Sequence, residues 1–223
     1  HGEYLVVSQM SGPQQNVAQA LTMMPSRNVG DYENLLGRLE GAATLIENSL
    51  IRLEEGLEMG VTPPKVTLRD VPQQVQTQIV DDPSASPMLK AFGAVPDSVS
   101  AEDQERLRGA AIAAYTERVK PALQKLHDYL VETYIPGARE SIGMSAMPDG
   151  GDWYAYNASQ YTTTDLTPQE IHEIGLSEVA RIRGEMEAVI EQVEFEGDLA
   201  DFFEYLRTEP SFYFDDKEDL LMT

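Results

Sequence analysis

The stretch DYENLLGRLEGAATLIENSLIRLEEGLEM, residues 31–59, decides the fold. In it Tyr32, Leu36, Leu39, Ala43, Ile46, Leu50, Leu53 and Leu57 recur at alternating spacings of four and three, the period of one face of an α-helix. At 1.5 Å per residue such a helix reaches about 43 Å. Gly60 and then Pro63-Pro64 stop it, because glycine accepts the left-handed turn that closes a helix and proline cannot continue one. A shorter helix precedes it, with Pro13 in its first turn and Met24-Pro25 at its end.

Downstream, Asp70 with Gln73 three residues on has the form of a capping box opening a helix through Val71, Val75 and Ile79. Asp82-Pro83 and Ser86-Pro87 break the pattern, and a subdomain boundary is expected near residues 83–100. Ser100 with Asp103 caps a second long helix, carried by Leu107, Ala111, Ala114, Val119, Leu123, Leu126 and Leu130 as far as Tyr134 and kinked at Pro121. A less regular stretch containing Met147-Pro148-Asp149-Gly150-Gly151 follows, then the aromatic group Trp153, Tyr154, Tyr156 and Tyr161. Thr167-Pro168-Gln169-Glu170 then combines an N-cap, a proline at the first helical position and a capping-box glutamate. The helix it opens is expected over residues 168–193, burying Ile171, Val179, Ile182, Met186, Val189 and Val193. A last short helix carries Leu199, Phe202, Phe203 and Leu206 and stops at Glu209-Pro210. The fold class is all-α, with long amphipathic helices packed as an irregular bundle.

With 223 residues, 42% of them hydrophobic, the chain can bury a sizeable core in one medium or two small domains. Its net charge of -22 repels nucleic acid and anionic membrane alike. From residue 165 onward there are 17 acidic and 4 basic residues, so more than half of the excess lies in the last quarter. Lacking cysteine, the chain has no disulfide, no thiolate metal site and no cysteine nucleophile. No apolar run approaches the ~20 residues of a membrane span. The chain begins without Met in an apolar stretch, and residues 215–223 read as the first turns of a helix cut short, so a fragment is expected. Tyr4 to Val7 and Glu218 to Met222 have no evident partners, and apolar surface there is expected to be left for a missing half.

Candidate chemistry is sparse. His172-Glu173 begins like the zinc-peptidase motif, in which two histidines stand four apart on one helical face, but position 176 is Leu176. Glu54 with Glu58, and Glu187 with Glu191, are carboxylates one turn apart that read as solvated helix faces. Ser141 and Ser145 lack the Gly-x-Ser-x-Gly setting of a serine nucleophile. The ligand-facing candidates are Trp153, Tyr154 and Tyr156 beside Gly150-Gly151, since a glycine pair lets backbone approach a ligand and these rings join flat apolar surface to one polar group. Docking of a short helix onto the core is the competing role for them. No catalytic residue, metal ligand or cofactor site is assigned within the chain.

Five stretches then point to a family. Ser8-Gln9-Met10-Ser11-Gly12-Pro13-Gln14-Gln15, Met24-Pro25 with Asp31-Tyr32-Glu33-Asn34, Gly56-Leu57-Glu58-Met59-Gly60-Val61-Thr62-Pro63-Pro64, Pro136-Gly137-Ala138-Arg139 with Ser141-Ile142-Gly143, and Tyr161-Thr162-Thr163-Thr164-Asp165-Leu166-Thr167-Pro168-Gln169-Glu170-Ile171-His172 resemble, in order, the bacterial family known as domain of unknown function 885. That resemblance implies a zincin-like helical fold related to metallopeptidases, in proteins often exported or lipid-anchored. The family's zinc motif, of the form His-Glu-x-x-Pro-Gly-His-His, belongs to the C-terminal half of the full protein, and no position here matches it. The chain would then be the N-terminal, non-catalytic segment of a zinc-dependent peptidase-like hydrolase, one wall of its substrate cleft, partnered by the C-terminal half and a peptide substrate. The alternative is a non-catalytic helical module that binds a peptide or partner protein.

Overall fold

The quoted stretch folds as α2 (Val29–Glu58), after α1 (Pro13–Met23), in a computed structural model that describes residues 2–214 and 216–222. Asn28 caps α2, its side chain accepting from the Asp31 N–H at 3.0 Å. The buried face is wider than the alternating spacing predicts. Beside Tyr32, Leu39, Ile46 and Leu53 lies a second buried row, Leu35, Ala42, Ser49 and Gly56, seven residues apart. Three of those four are small, which a reading weighted by hydrophobicity passes over, and their size lets neighbours come close. A Cβ on Gly56 would stand 2.9 Å from the Val61 carbonyl oxygen and 3.0 Å from the Tyr4 Cβ. The apolar start of the chain therefore has partners inside it, and Val7 is fully buried, contrary to the expectation of free surface there.

Two compact units divide the chain at Gly151 and Asp152 rather than within residues 83–100. The proline-rich stretch cannot separate domains, because it supplies Met88, Leu89, Phe92, Val95 and Val99 to the first unit's core. Ser86 and Asp82 cap its short 3-10 turns, and α4 (Lys90–Gly93) follows. Tyr32 donates to the Ala91 carbonyl at 3.2 Å and stands edge-on to Phe92. α3 (Val71–Gln76) buries Val71 and Val75, but Asp70 does not cap it. Arg69 takes the Asp70 carboxylate in two hydrogen bonds of 2.8 and 2.9 Å, so the expected capping box is absent.

The second long helix runs from Ala101 to Gly137 as α5 (Ala101–Ala114), α6 (Lys120–Tyr129) and α7 (Ile135–Gly137), joined by two π-helical turns, Tyr115–Val119 and Leu130–Tyr134. Both turns have one cause. Pro121 and Pro136 offer no N–H to the carbonyl four residues back, and their rings crowd it. In each case the preceding residue bonds five back instead, Lys120 N–H to the Tyr115 carbonyl and Ile135 N–H to the Leu130 carbonyl. Leu107, Ala111, Ala114, Val119, Leu123, Leu126, Leu130 and Tyr134 are all buried against the rest of this core. The five-residue step from Ala114 to Val119 is the sequence trace of the first π turn.

Unit 2 contains the helical segments of α8 (Gly150–Thr162) beyond Gly151, α9 (Pro168–Gln192), α10 (Leu199–Thr208) and α11 (Lys217–Met222). Thr167 and Glu170 form the expected capping box, and Asp198 with Asp201 forms another on α10. The expected burial along α9 does not follow. Val179 is 64% exposed, Val193 55%, and Ile182 and Met186 40% each, while Ile190 is the one buried side chain among the described residues of this unit. α10 packs near the C-terminal end of α9, and among the described residues the rest of the stripe stays exposed. No strand occurs among the described residues.

Candidate functional site

α8 carries the aromatic residues singled out from sequence, on a regular helix. Helical phase sets Trp153 beside Tyr156, three apart, and Tyr154 beside Tyr161, seven apart, on two adjoining faces. Trp153 is half-buried, whereas Tyr154, Tyr156 and Tyr161 are exposed. The backbone starts the helix tightly: Asp149 has a positive φ of 52°, and a Cβ on Gly150 would collide with the Met144 carbonyl. Such a face can stack on a flat or apolar group and offer phenol hydroxyls to it, which is binding chemistry.

An open crevice of about 550 Å³ lies at the corner of α9 and α10, lined in part by Arg183, Glu187, Ile190, Asp198 and Phe203. Three of its four charged side chains are already engaged. Arg183 pairs with Glu187 at 3.0 Å, and Asp198 accepts from the Ala200 and Asp201 N–H groups at 2.8 and 3.0 Å. Phe195, Phe202, Tyr205 and Phe212 close the corner, with ring centroids 5.1 to 5.5 Å apart in successive contacts from Phe195 to Phe202, Phe195 to Tyr205 and Tyr205 to Phe212. Sequence reading missed this cluster because its members are scattered over a turn, a helix and a loop.

In unit 1 two of the family-like stretches meet. Arg139 donates from its backbone N–H to the Thr62 hydroxyl at 3.1 Å and from its guanidinium to the Thr62 and Gly143 carbonyls, each at 2.8 Å, and to that of Ser141. Lys65 N–H returns a bond to the Arg139 carbonyl at 2.8 Å. Partial burial, which disfavours the charged form, lowers the Arg139 pKa. These residues fasten one loop to another. Tyr115 and Tyr134, one in each π turn, differ in their hydroxyls. Tyr115 donates to the Gln78 carbonyl at 2.7 Å and accepts from the Val80 N–H at 2.9 Å. The Tyr134 hydroxyl is buried without a partner among the described residues, and burial pushes its pKa up.

His172 is exposed on α9 with Leu176 one turn on, and His127 sits beside Asp128 at 3.0 Å on α6; His1 lies outside the described residues. Among the described residues no three histidine or carboxylate side chains gather closely enough to hold a metal ion. No described helix is long and apolar enough to cross a membrane.

A model of the family described as "Bacterial protein of unknown function (DUF885)" matches residues 1–223. The chain is also similar to a solved structure described as "the putative lipoprotein from Colwellia psychrerythraea", with 26% sequence identity and a TM-score of 0.77. The likeness covers 98% of this chain and 39% of that one, so this chain spans about two-fifths of that protein's length. No curated protein matches the sequence.

Proposed function

The chain belongs to the bacterial DUF885 family, and from that membership we propose that residues 1–223 are the N-terminal, non-catalytic part of a larger zinc-dependent, zincin-like peptidase, forming one wall of its substrate cleft. The observation that carries this reading is the incompleteness of unit 2, whose α9 holds an apolar stripe 40–64% exposed at Val179, Ile182, Met186, Val189 and Val193. The 39% coverage of the Colwellia protein supplies the scale, since a protein of that length has room for a further half. Zinc would be held by that other half, where the family's zinc motif is expected. On this side of the cleft the exposed rings of Tyr154 and Tyr156, with Trp153, would hold a peptide by stacking on its side chains. Export or lipid anchoring of the parent is part of the same proposal, supported by the description of the Colwellia protein.

The test is a peptidase assay with metal analysis on the longer protein and on residues 1–223 alone. The longer protein should retain zinc and lose cleavage to a chelator, and the 223-residue chain should be inactive. Unaided cleavage by the 223-residue chain would overturn the assignment, as would chelator-resistant cleavage by the longer protein. Trp153→Ala and Tyr154→Ala in the longer protein should raise KM and leave kcat unchanged, the pattern of lost ground-state binding. The exposed faces also suit a module that binds a peptide or partner protein; a longer protein free of zinc and without peptidase activity would favour that reading.

A further inference from the structure

We infer that the apolar stripe of α9 is an intramolecular docking face, covered in the longer protein by a helical apolar surface from the polypeptide beyond the 223 residues. This rests on the reading that the chain is one part of a longer protein, and it names the partner and the seat. Wound at 100° per residue, Ile171, Gly175, Val179, Ile182, Met186, Val189, Ile190 and Val193 fall within about one quarter of the helix circumference, and only Ile190 is buried. From residue 171 to 193 the stripe runs about 33 Å.

Two features fit a packed helical partner. Gly175 lies in the stripe with open space where its Cβ would stand. A glycine weakens a helix interior relative to alanine, and no neighbour among the described residues uses the room it leaves, whereas a closely approaching backbone would. The charges beside the stripe are already paired along the helix. Arg181 bonds to Glu178 and Glu185, each at 2.7 Å, and Arg183 to Glu187 at 3.0 Å. An apolar surface can therefore seat on the stripe without stranding a lone arginine. The remainder of the same polypeptide is the occupant because the Colwellia chain has three-fifths of its length outside the likeness, and tethering gives such a partner a high effective concentration without a second molecule.

The absence of cysteine from these residues makes the test direct. Val189→Cys places a thiol on the stripe and Ala180→Cys places one on the opposite, exposed face. Maleimide labelling of each site is followed by peptide mass spectrometry in residues 1–223 and in the longer protein, with helicity checked by circular dichroism. In the 223-residue chain both sites should label at similar rates. In the longer protein Val189→Cys should slow by at least about tenfold, as follows if the docked face opens less than a tenth of the time, while Ala180→Cys is unchanged. Equal rates at the two sites in the longer protein overturn the proposal, and so does protection of Val189→Cys already present in the 223-residue chain. Peptidase activity and zinc content are scored separately. Protection without activity removes the hydrolase reading and keeps the docking face, and activity without protection does the reverse.

Discussion

α2 and α9 are both long amphipathic helices with capped starts, 30 and 25 residues, yet Leu39 and Ile46 of α2 are fully buried while Ile182 and Met186 of α9 are each 40% exposed. The difference shows what periodicity specifies. A repeat of 3.6 residues fixes a face that gains from burial, but it does not name what buries it. In unit 1 the neighbours of α2 come from the same unit, while among the described residues of unit 2 α9 buries a side chain only near its end. Stability should be distributed accordingly, with packing dominant in the first unit and local helix signals dominant in the second.

The largest expected contrast is between core truncations. Leu39→Ala or Leu123→Ala should cost about 2–5 kcal/mol in urea unfolding of the 223-residue chain, while Val179→Ala should stay within about 0.5 kcal/mol. A large loss at Val179 would show that α9 is packed after all. Next comes close approach: Gly56→Ala should destabilise by about 1–3 kcal/mol, because backbone and a side-chain stem meet the new methyl group. Gly175→Ala, with open space around it, should instead stabilise α9 by up to about 1 kcal/mol in the same chain. A matched pair then probes the π turns. Tyr115→Phe strands the Gln78 carbonyl and the Val80 N–H and should cost about 1–3 kcal/mol. Tyr134→Phe removes an unpartnered buried hydroxyl and should be neutral or stabilising by calorimetry.

The smallest effect concerns the start of α9. Thr167→Ala should remove about 1 kcal/mol of capping. The Thr167 backbone N–H and hydroxyl both donate to the Glu170 carboxylate, at 2.8 and 2.7 Å, and hold its pKa below the usual carboxylate range. A depressed carboxyl contributes stability above its unfolded pKa and loses it as pH falls through the lower folded value. The helicity lost on Thr167→Ala should therefore be present at pH 7 and shrink once pH drops below about 4. An effect that grew on acidification would contradict the capping box.

Much of the helical framework was legible because its signals are local. The α2 stripe, the Ser100 cap of α5 and the Thr167 box each depend on residues within a few turns of one another. Asp70 failed as a cap because adjacent Arg69 competes for its carboxylate, a choice that spacing does not rank. The π turns were half legible: Pro121 announced an irregularity, and the five-residue step to Val119 told its kind, but only once burial was known. Trp153, Tyr154 and Tyr156 were legible as a group and not as a helix face. The exposed stripe of α9 was least legible, since it depends on what is absent from its surroundings.

Trp153 is the only tryptophan in the chain, and it belongs to the second unit. Selective indole emission is thus a built-in optical reporter for the region with almost no core of its own. A denaturation curve followed by that signal tracks the environment of α8. The ten tyrosines divide evenly, five in each unit, and the buried Tyr32, Tyr115 and Tyr134 belong to the first. Indole emission alone therefore singles out the second unit, without any added label.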